Sequence, residues 1–388
     1  MTWPTKKLGE VCEFEGGKQP PKKYFIEQPK EGYVRLLQIR DFESDEKAVY
    51  IPKTLAQNYV KEDDILISRY GGFGNYKSFF NILTGKAGAF NVALIKVIPD
   101  VKVVNKKFIY YQLQLPKYKI ALIKKSDRAV QSGFRKEDLE KLEIVVPPIP
   151  IQQKIVERLD AIKKAQELND KQIELAEELF QSLLHRELDP KGKNWGAKKL
   201  GEICDCKDGD WILTKDLQTG NDVRLIQLGD IGEINFLDKT RKYISKKRCQ
   251  ELSCTLLKPN DILLNRMGDP IGIACILPHL SYPAITAVDV TIIRSKKEIA
   301  NQFFILYSLN SKAIRRQIEA FATGSTRRRI SRKNLEKIKI PLPPFETQQK
   351  IVEKLSAVQE YKKKLLDQKQ KLQELFESVL NKSFKGNL

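Results

Sequence analysis

The run Pro147-Pro148-Ile149-Pro150-Ile151-Gln152-Gln153-Lys154-Ile155-Val156-Glu157 returns 196 positions later as Pro343-Pro344-Phe345-Glu346-Thr347-Gln348-Gln349-Lys350-Ile351-Val352-Glu353. Proline pairs of this kind suit the start of a helix. After the first pair, apolar residues fall at Ile155, Leu159, Ile162, Ile173, Ala176, Phe180 and Leu183, with Gln166 and Asn169 in the missing seam positions. After the second come Ile351, Leu355, Val358, Leu365, Leu372, Phe376 and Val379, interrupted by Lys362 and Lys369. Spacings alternating between three and four make a heptad seam of about five heptads. At 1.5 Å per residue, about 35 residues make a rod of roughly 50 Å.

Working outward, the repeat extends over the whole chain. Trp3…Lys7-Leu8-Gly9-Glu10-Val11-Cys12 recurs as Trp195…Lys199-Leu200-Gly201-Glu202-Ile203-Cys204. Arg35-Leu36-Leu37-Gln38-Ile39-Arg40-Asp41 returns as Arg224-Leu225-Ile226-Gln227-Leu228-Gly229-Asp230. Asp64-Ile65-Leu66-Ile67-Ser68-Arg69 returns as Asp261-Ile262-Leu263-Leu264-Asn265-Arg266. So many ordered blocks are a duplication, and 388 residues accommodate two or three domains at about 150 residues each. Residues 1–148 and 191–344 hold short apolar runs between Gly, Pro and Asn. The runs 64–68, 91–97, 142–146, 261–264, 288–293 and 338–342 read as strands, and 107–115 and 300–321 as helical. The fold class is therefore α+β. Two similar mixed α/β globular domains are separated by two long antiparallel coiled-coil helices in a pseudo-two-fold internal repeat. The domain reading is 1–148 and 191–344 as lobes, with 149–190 and 345–388 as helices. A stripe of this length must be buried, and the economical partner is the other copy's helix rather than the helix's own lobe.

Charge says which parts meet a polyanion. Lys+Arg number 69 against 49 Asp+Glu, a net +20. Residues 1–148 carry +8 and 191–344 carry +12, while 149–190 and 345–388 carry −3 and +3. The lobes hold the excess and the helices balance, which points to nucleic acid on the lobes. In the first lobe the candidate contacts are Lys18 and Gln19, Arg69, Tyr70, Asn75, Tyr76 and Lys77, and Ser132, Arg135 and Lys136. In the second they are Lys207, Asp210 and Trp211, Arg266 and Asp269, and Thr326, Arg327, Arg328, Arg329 and Arg332. Arginine and lysine grip phosphates, while arginine, amide and carboxylate side chains pair with base edges. Trp211 also suits a core, and charged glycine loops also serve as plain solvated turns.

Other chemistry is excluded by missing parts. Six cysteines and two histidines lack zinc-ligand spacing, and the cysteines read as reduced thiols of a cytoplasmic protein. No apolar leader follows Met1, and the uncharged run 270–288 is broken by Pro270, Pro278 and Pro283, so neither export nor a membrane span is expected. No Walker motif or glycine-rich cofactor loop appears, nor any carboxylate cluster of a nuclease. Leu342-Pro343-Pro344-Phe345 has Leu where an adenine methyltransferase needs a polar residue. With two histidines, His185 and His279, far apart and in different contexts, a histidine-based triad is not expected. No catalytic or metal-ligating residue is expected.

The duplicated Trp-x3-Lys-Leu-Gly-Glu opening, the Asp-Ile-Leu strand ending in Arg, and the Pro-Pro…Gln-Gln-Lys-Ile-Val helix starts together resemble the specificity (S) subunit of type I restriction–modification enzymes. The resemblance covers the whole chain. It implies two target recognition domains, 1–148 and 191–344, each reading half of a bipartite site in double-stranded DNA. The helices would set the gap and dock two modification (methyltransferase) subunits through apolar positions outside the seam: Leu168, Leu175, Leu179, Leu366 and Leu375. It further implies no cofactor in this chain. S-adenosylmethionine would sit on the modification subunits and ATP on the restriction (translocase/nuclease) subunits. A stand-alone DNA-binding or bridging protein stays open as an alternative, and less so a methyltransferase or nuclease acting by itself.

Overall fold

A computed structural model of the chain describes residues 3–42, 44–69, 85–220 apart from 127–132, 222–324 and 327–385, with the side chains of 123–126 excepted. Contacts divide it into two compact units: Met1–Asp170 with Asp367–Leu388, and Lys171–Leu366.

The first unit begins with β1 (Thr5–Lys7), β2 (Cys12–Gly16), β3 (Tyr33–Leu37), β4 (Tyr50–Pro52) and β5 (Tyr59–Val60). Next come β6 (Ile65–Ser68), β7 (Gly88–Phe90), β8 (Leu94–Pro99), α1 (Lys106–Leu113), α2 (Pro116–Ser126), α3 (Lys136–Glu140) and β9 (Glu143–Val145). The long helix α4 (Ile149–Leu188) follows directly on Pro147 and Pro148. Three sheets form, in the orders β1-β9, β2-β8-β6 and β4-β3-β7-β5. The pair β3–β7 is parallel, with Leu36 opposite Ala89.

The second unit repeats the plan. Its strands are β10 (Gly196–Lys199), β11 (Cys204–Asp208), β12 (Leu217–Gln218), β13 (Val223–Ile226), β14 (Ile234–Asn235) and β15 (Lys242–Ile244), with α5 (Leu200–Ile203) after β10 and α6 (Lys246–Glu251) after β15. Then come β16 (Ile262–Asn265), β17 (Ala274–Ile276), β18 (Ala284–Thr286), β19 (Val290–Ser295), α7 (Gln302–Asn310), α8 (Lys312–Phe321), α9 (Arg332–Leu335), β20 (Lys339–Leu342) and α10 (Phe345–Ser383). The sheet orders are β10-β20, β11-β19-β16-β17-β14 and β12-β15-β13-β18. Again the third sheet holds a parallel pair, β13–β18. The expected helix over 300–321 is two helices. Asn310 turns its side chain to the backbone of Ala274, donating to its carbonyl at 2.8 Å, and the Ser311 hydroxyl caps α8. The Asn310 amide also donates to Leu306 O (2.9 Å), so it ends α7, and the Ser311 cap starts α8.

Duplicated buried polar residues explain much of the sequence repeat. In the first unit Gln152 is buried; it accepts from the Asn105 N–H (2.7 Å) and donates to the carbonyls of Val103 (3.1 Å) and Pro147 (2.8 Å). In the second, Gln348 accepts from the Asn301 N–H (2.8 Å) and donates to Ile299 (3.3 Å) and Pro343 (2.9 Å). Each glutamine ties the first turn of a long helix to the residues that cap α1 or α7. The Arg…Asp block is also structural. Asp41 and Asp230 accept from the N–H of Gln38 and Gln227, and pair with Arg35 (3.3 Å) and Arg224 (3.4 Å).

Within the first unit the core gathers Phe14, Ile65 and Val97 with Phe108 and Tyr111 of α1, Ile155 and Leu159 of α4, and Leu380 and Phe384 near the chain end. Here Gln166 donates to Leu372 O (3.2 Å) and Lys369 pairs with Asp170 (2.8 Å). Within the second unit Phe180 and Leu184 of α4 meet Phe304, Tyr307, Ile351 and Leu355. Here Lys362 pairs with Glu177, and Lys354 with Glu187 (3.3 Å). In either unit numbers fall along α10 as they rise along α4, so the segments run antiparallel. The two lysines that interrupt the heptad seam are its interhelical ion pairs. Exposed pairs contribute about 0.2–1 kcal/mol each, so they choose register more than they add stability.

Gln152→Ala or Gln348→Ala strands a buried N–H and two carbonyls. We expect each to destabilise its own unit by about 1–3 kcal/mol or more, read as a lower melting temperature by calorimetry. A Gln→Ala change with no loss of stability would show that the tie carries no weight.

Candidate nucleic-acid interface

In the second unit the three candidate loops come together around two carboxylates. The loop after β11 is tied by backbone to the turn between β18 and β19: Gly209 N–H donates to Val290 O (2.9 Å) and Asp210 N–H to Thr286 O (2.8 Å). A Cβ on Gly209 would stand 2.2 Å from Ala287 O, so only glycine allows this approach. Asp210 is half-buried and accepts from Thr255 N–H (2.9 Å); burial raises its pKa above the usual carboxylate range. Trp211, next in the chain, is 67% exposed. A core role for its indole is thereby excluded.

The loop after β16 is built on Asn265. Its side chain donates to Pro270 O (3.1 Å) and accepts from Ile273 N–H (2.6 Å). Arg266 is only 4% exposed. Its guanidinium donates to the carbonyls of Val288 and Ile330 and lies 3.4 Å from Asp208. Burial pulls its pKa down, against the attraction of Asp208. Arg266 is thus turned inward and braces the loops, while Asp269 is exposed.

The third loop closes on the second. Thr323 and Arg329 exchange backbone hydrogen bonds at 2.9 and 2.8 Å, and Gly268 N–H donates to Arg328 O (3.3 Å). Gly324 sits at φ +100°, a conformation that L side chains rarely adopt. Arg329 pairs with Asp289 (2.9 Å), and Arg332 reaches Asp208 (3.9 Å), Glu336 (3.7 Å) and Cys206 O (3.3 Å). Arg328 donates to Glu319 O. Arg327 and Lys207 are exposed and make no ion pair among the described residues. Thr326 lies outside the described residues.

The first unit uses the same devices. Gly17 N–H donates to Leu94 O (3.2 Å), Lys18 N–H donates to Phe90 O (3.0 Å), and a Cβ on Gly17 would meet Asn91 O at 2.1 Å. Arg69 donates from Nε to Phe134 O (3.4 Å), matching the bond from Arg266 Nη1 to Ile330 O (3.4 Å). Lys18, Gln19, Arg135 and Lys136 are exposed. Tyr70, Asn75, Tyr76, Lys77 and Ser132 lie outside the described residues. Asp208, Asp289 and the glycines Gly17 and Gly209 carry these loops, yet sequence reasoning did not single out the carboxylates. Only the matching positions of Gly17 and Gly209 in the two copies signalled such a role.

Other positions follow. Leu168 and Leu375 in the first unit, and Leu175, Leu179 and Leu366 in the second, are exposed on the long helices. All six cysteines are free, and burial pushes the thiols of Cys12, Cys206, Cys254 and Cys275 up to about 12, away from thiolate chemistry. Among the described residues no group of three or more His, Cys, Asp or Glu is placed to hold a metal ion, and no helix is long and apolar enough to cross a membrane.

Duplicated lobes with basic, glycine-braced loops, each followed by a long helix, define a paired-recognition architecture. The family profile "Type I restriction modification DNA specificity domain" matches twice, at residues 1–178 and 192–375. The chain belongs to that family. It is 23% identical over its whole length to the type I restriction enzyme MjaVIII specificity subunit of Methanocaldococcus jannaschii, covering 93% of that protein. It is also 23% identical to the type I restriction enzyme EcoBI specificity subunit of Escherichia coli, over 92% of this chain and 80% of that one. A solved chain from work on assembly and conformational transition of the type I R-M system superposes with a TM-score of 0.61 at 18% identity, covering 100% of this chain and 98% of its own. The type I restriction–modification S subunit of M. genitalium does so with 0.57 at 15%, covering 98% and 96%. These two likenesses establish the fold.

Arg266→Met removes the inward brace and leaves Asp208 and two carbonyls short of a partner. We expect a stability loss of about 1–3 kcal/mol, while Arg327→Gln leaves the melting temperature unchanged. Equal effects of the two changes would show that Arg266 is not a brace.

Proposed function

We propose that this chain is the DNA sequence-reading subunit of a type I restriction–modification complex. Residues 1–148 and 191–344 each read one half of a bipartite duplex site. The helices of 149–190 and 345–388 set the unread gap and dock two modification subunits. Restriction subunits join the same complex. The chemistry belongs to those partners: S-adenosylmethionine on the modification subunits and ATP on the restriction subunits, with no cofactor in this chain. The complex works in the cytoplasm.

One observation carries the reading: two copies of one loop scaffold in a chain whose family profile, a DNA specificity domain, matches twice. In each copy a glycine-tied loop presents polar side chains beside a loop braced by an inward arginine. Lys18, Gln19, Arg135 and Lys136 serve the first lobe. Lys207, Asp210, Trp211, Arg327, Arg328, Arg329 and Arg332 serve the second, with Arg69 and Arg266 positioning the loops. Cations take phosphates and fix register on the duplex; carboxylate, amide and indole meet base edges. Exposed Leu168, Leu175, Leu179, Leu366 and Leu375 supply apolar anchors for partner helices.

Methylome sequencing of the host with and without the gene tests the reading directly: a bipartite adenine-methylation motif disappears with the gene. An unchanged methylome refutes it. Deleting one matched heptad from both helices removes about 10 Å of rod and shortens the unread gap by up to about 3 base pairs, with the bases read unchanged. Replacing Arg327, Arg328 and Arg329 by Gln weakens binding to all sequences and lowers the salt slope, as phosphate contacts do; a sequence-selective loss would make them base readers. Changing Leu168, Leu175 and Leu179 to Glu abolishes co-purification of the modification subunit while the chain stays folded. Retained co-purification would place the dock elsewhere.

A further inference from the structure

The segment Lys239-Thr240-Arg241-Lys242-Tyr243-Ile244-Ser245-Lys246-Lys247-Arg248 holds six cations and no carboxylate. None of them belongs to the loops assigned above. In the second unit it forms β15 and the start of α6, and its cations divide by what they touch. Arg241 is held by Asp238 at 2.9 and 3.1 Å, and Arg248 by Asp216 (2.9 Å) and Glu251 (3.0 Å). Lys242, Lys246 and Lys247 are exposed and have no ion pair among the described residues. Uncompensated lysines close together along β15 and the start of α6 are a standing attraction for a polyanion.

This corner is joined to the Trp211 loop. Leu217 pairs with Ile244 and Gln218 with Tyr243 across β12–β15. Asp216 accepts from Leu213 N–H (2.9 Å) while pairing with Arg248, so one carboxylate staples the loop to α6. Ile212 packs on the small core of Val223, Leu225, Ile244, Cys249 and Ile285. Its neighbours Trp211 and Leu213 remain exposed at 67% and 43%. One apolar side chain anchors the loop and two are left in water, and Asp216 and the β12–β15 pairing tie that loop to the elements that carry the free lysines.

We propose that the β12–β15–α6 corner of the second unit is a further duplex-DNA contact, in which Lys242, Lys246 and Lys247 take phosphates and Trp211 meets the bases or sugars of the adjoining groove. The inference rests on the DNA-reading role proposed above and extends the contact beyond the arginine loop. An indole against the groove contributes apolar contact and stacking that the arginines cannot supply.

The test uses the chain assembled with its modification subunits, and a duplex carrying its methylation motif. The Lys242→Gln, Lys246→Gln, Lys247→Gln variant should bind at least tenfold more weakly, and the slope of log K against log salt should fall by about 2–3, near 0.9 per phosphate lost. The corresponding triple Lys→Arg variant should restore both. Trp211→Ala should weaken binding with the slope unchanged, and Trp211 fluorescence in a Trp3→Phe, Trp195→Phe background should change on adding duplex. Wild-type affinity and slope in the Gln variant overturn the proposal while leaving the DNA-reading role standing. Loss of the modification subunit from the Gln variant, with Trp211 responding to that subunit and not to DNA, also overturns it and makes the corner a protein contact. A wild-type complex that binds no motif duplex overturns both.

Discussion

The structure depends on how a long helix is fastened to a lobe, and a buried amide does the fastening. Gln152 and Gln348 each accept one backbone N–H and donate to two carbonyls, one before the helix and one in the loop that caps α1 or α7. An apolar residue there would fill the space but leave three backbone groups unpaired in the interior. The amide has donors and an acceptor in the required places. It fixes the direction in which each helix leaves its lobe, and the heptad seam carries that direction onward.

The same economy governs charge. Arg35 and Arg224, Arg69 and Arg266 recur in both copies, and each is engaged inside its unit, with carboxylates, backbone carbonyls or both. A planar guanidinium with five donors braces several strand ends at once, which a lysine does not do. The lysines of the β15–α6 corner stay at the surface with their charge free. A basic protein of this type therefore spends its arginines on two jobs, and sequence position alone does not separate them. Exposure and partner do.

This sets how far the sequence could be read. The repeat, the helix starts and the seam were legible because they follow from periodicity and from proline, which act locally. The strand positions were legible to within a few residues for the same reason. The break at Asn310 and Ser311 was not, since it comes from Asn310 reaching Ala274, 36 positions back in the chain. Asp208 and Asp289 were equally silent: nothing near them in the sequence announces that they collect Arg266, Arg332 and Arg329 from loops far along the chain. Trp211 was ambiguous between core and surface until the neighbouring Ile212 was seen to take the core position.

Why should a reading surface be mounted on such firm supports? A loop that must discriminate bases loses affinity for every degree of freedom it freezes on binding. Gly17 and Gly209 lower that cost by letting backbone meet backbone at distances no side chain would permit. The cross-links from Asp208, Asp216 and Asp289 lower it again in the second lobe. On that common frame Lys18, Gln19 and Trp211 are exposed, while Asp210 is half-buried with its carboxylate held by the Thr255 N–H. Those residues differ between the two copies, Lys18 and Gln19 against Asp210 and Trp211, while the glycine before each pair and its backbone ties are the same. Two lobes with one frame and different side chains mounted on it fit the proposed reading of two unlike half-sites.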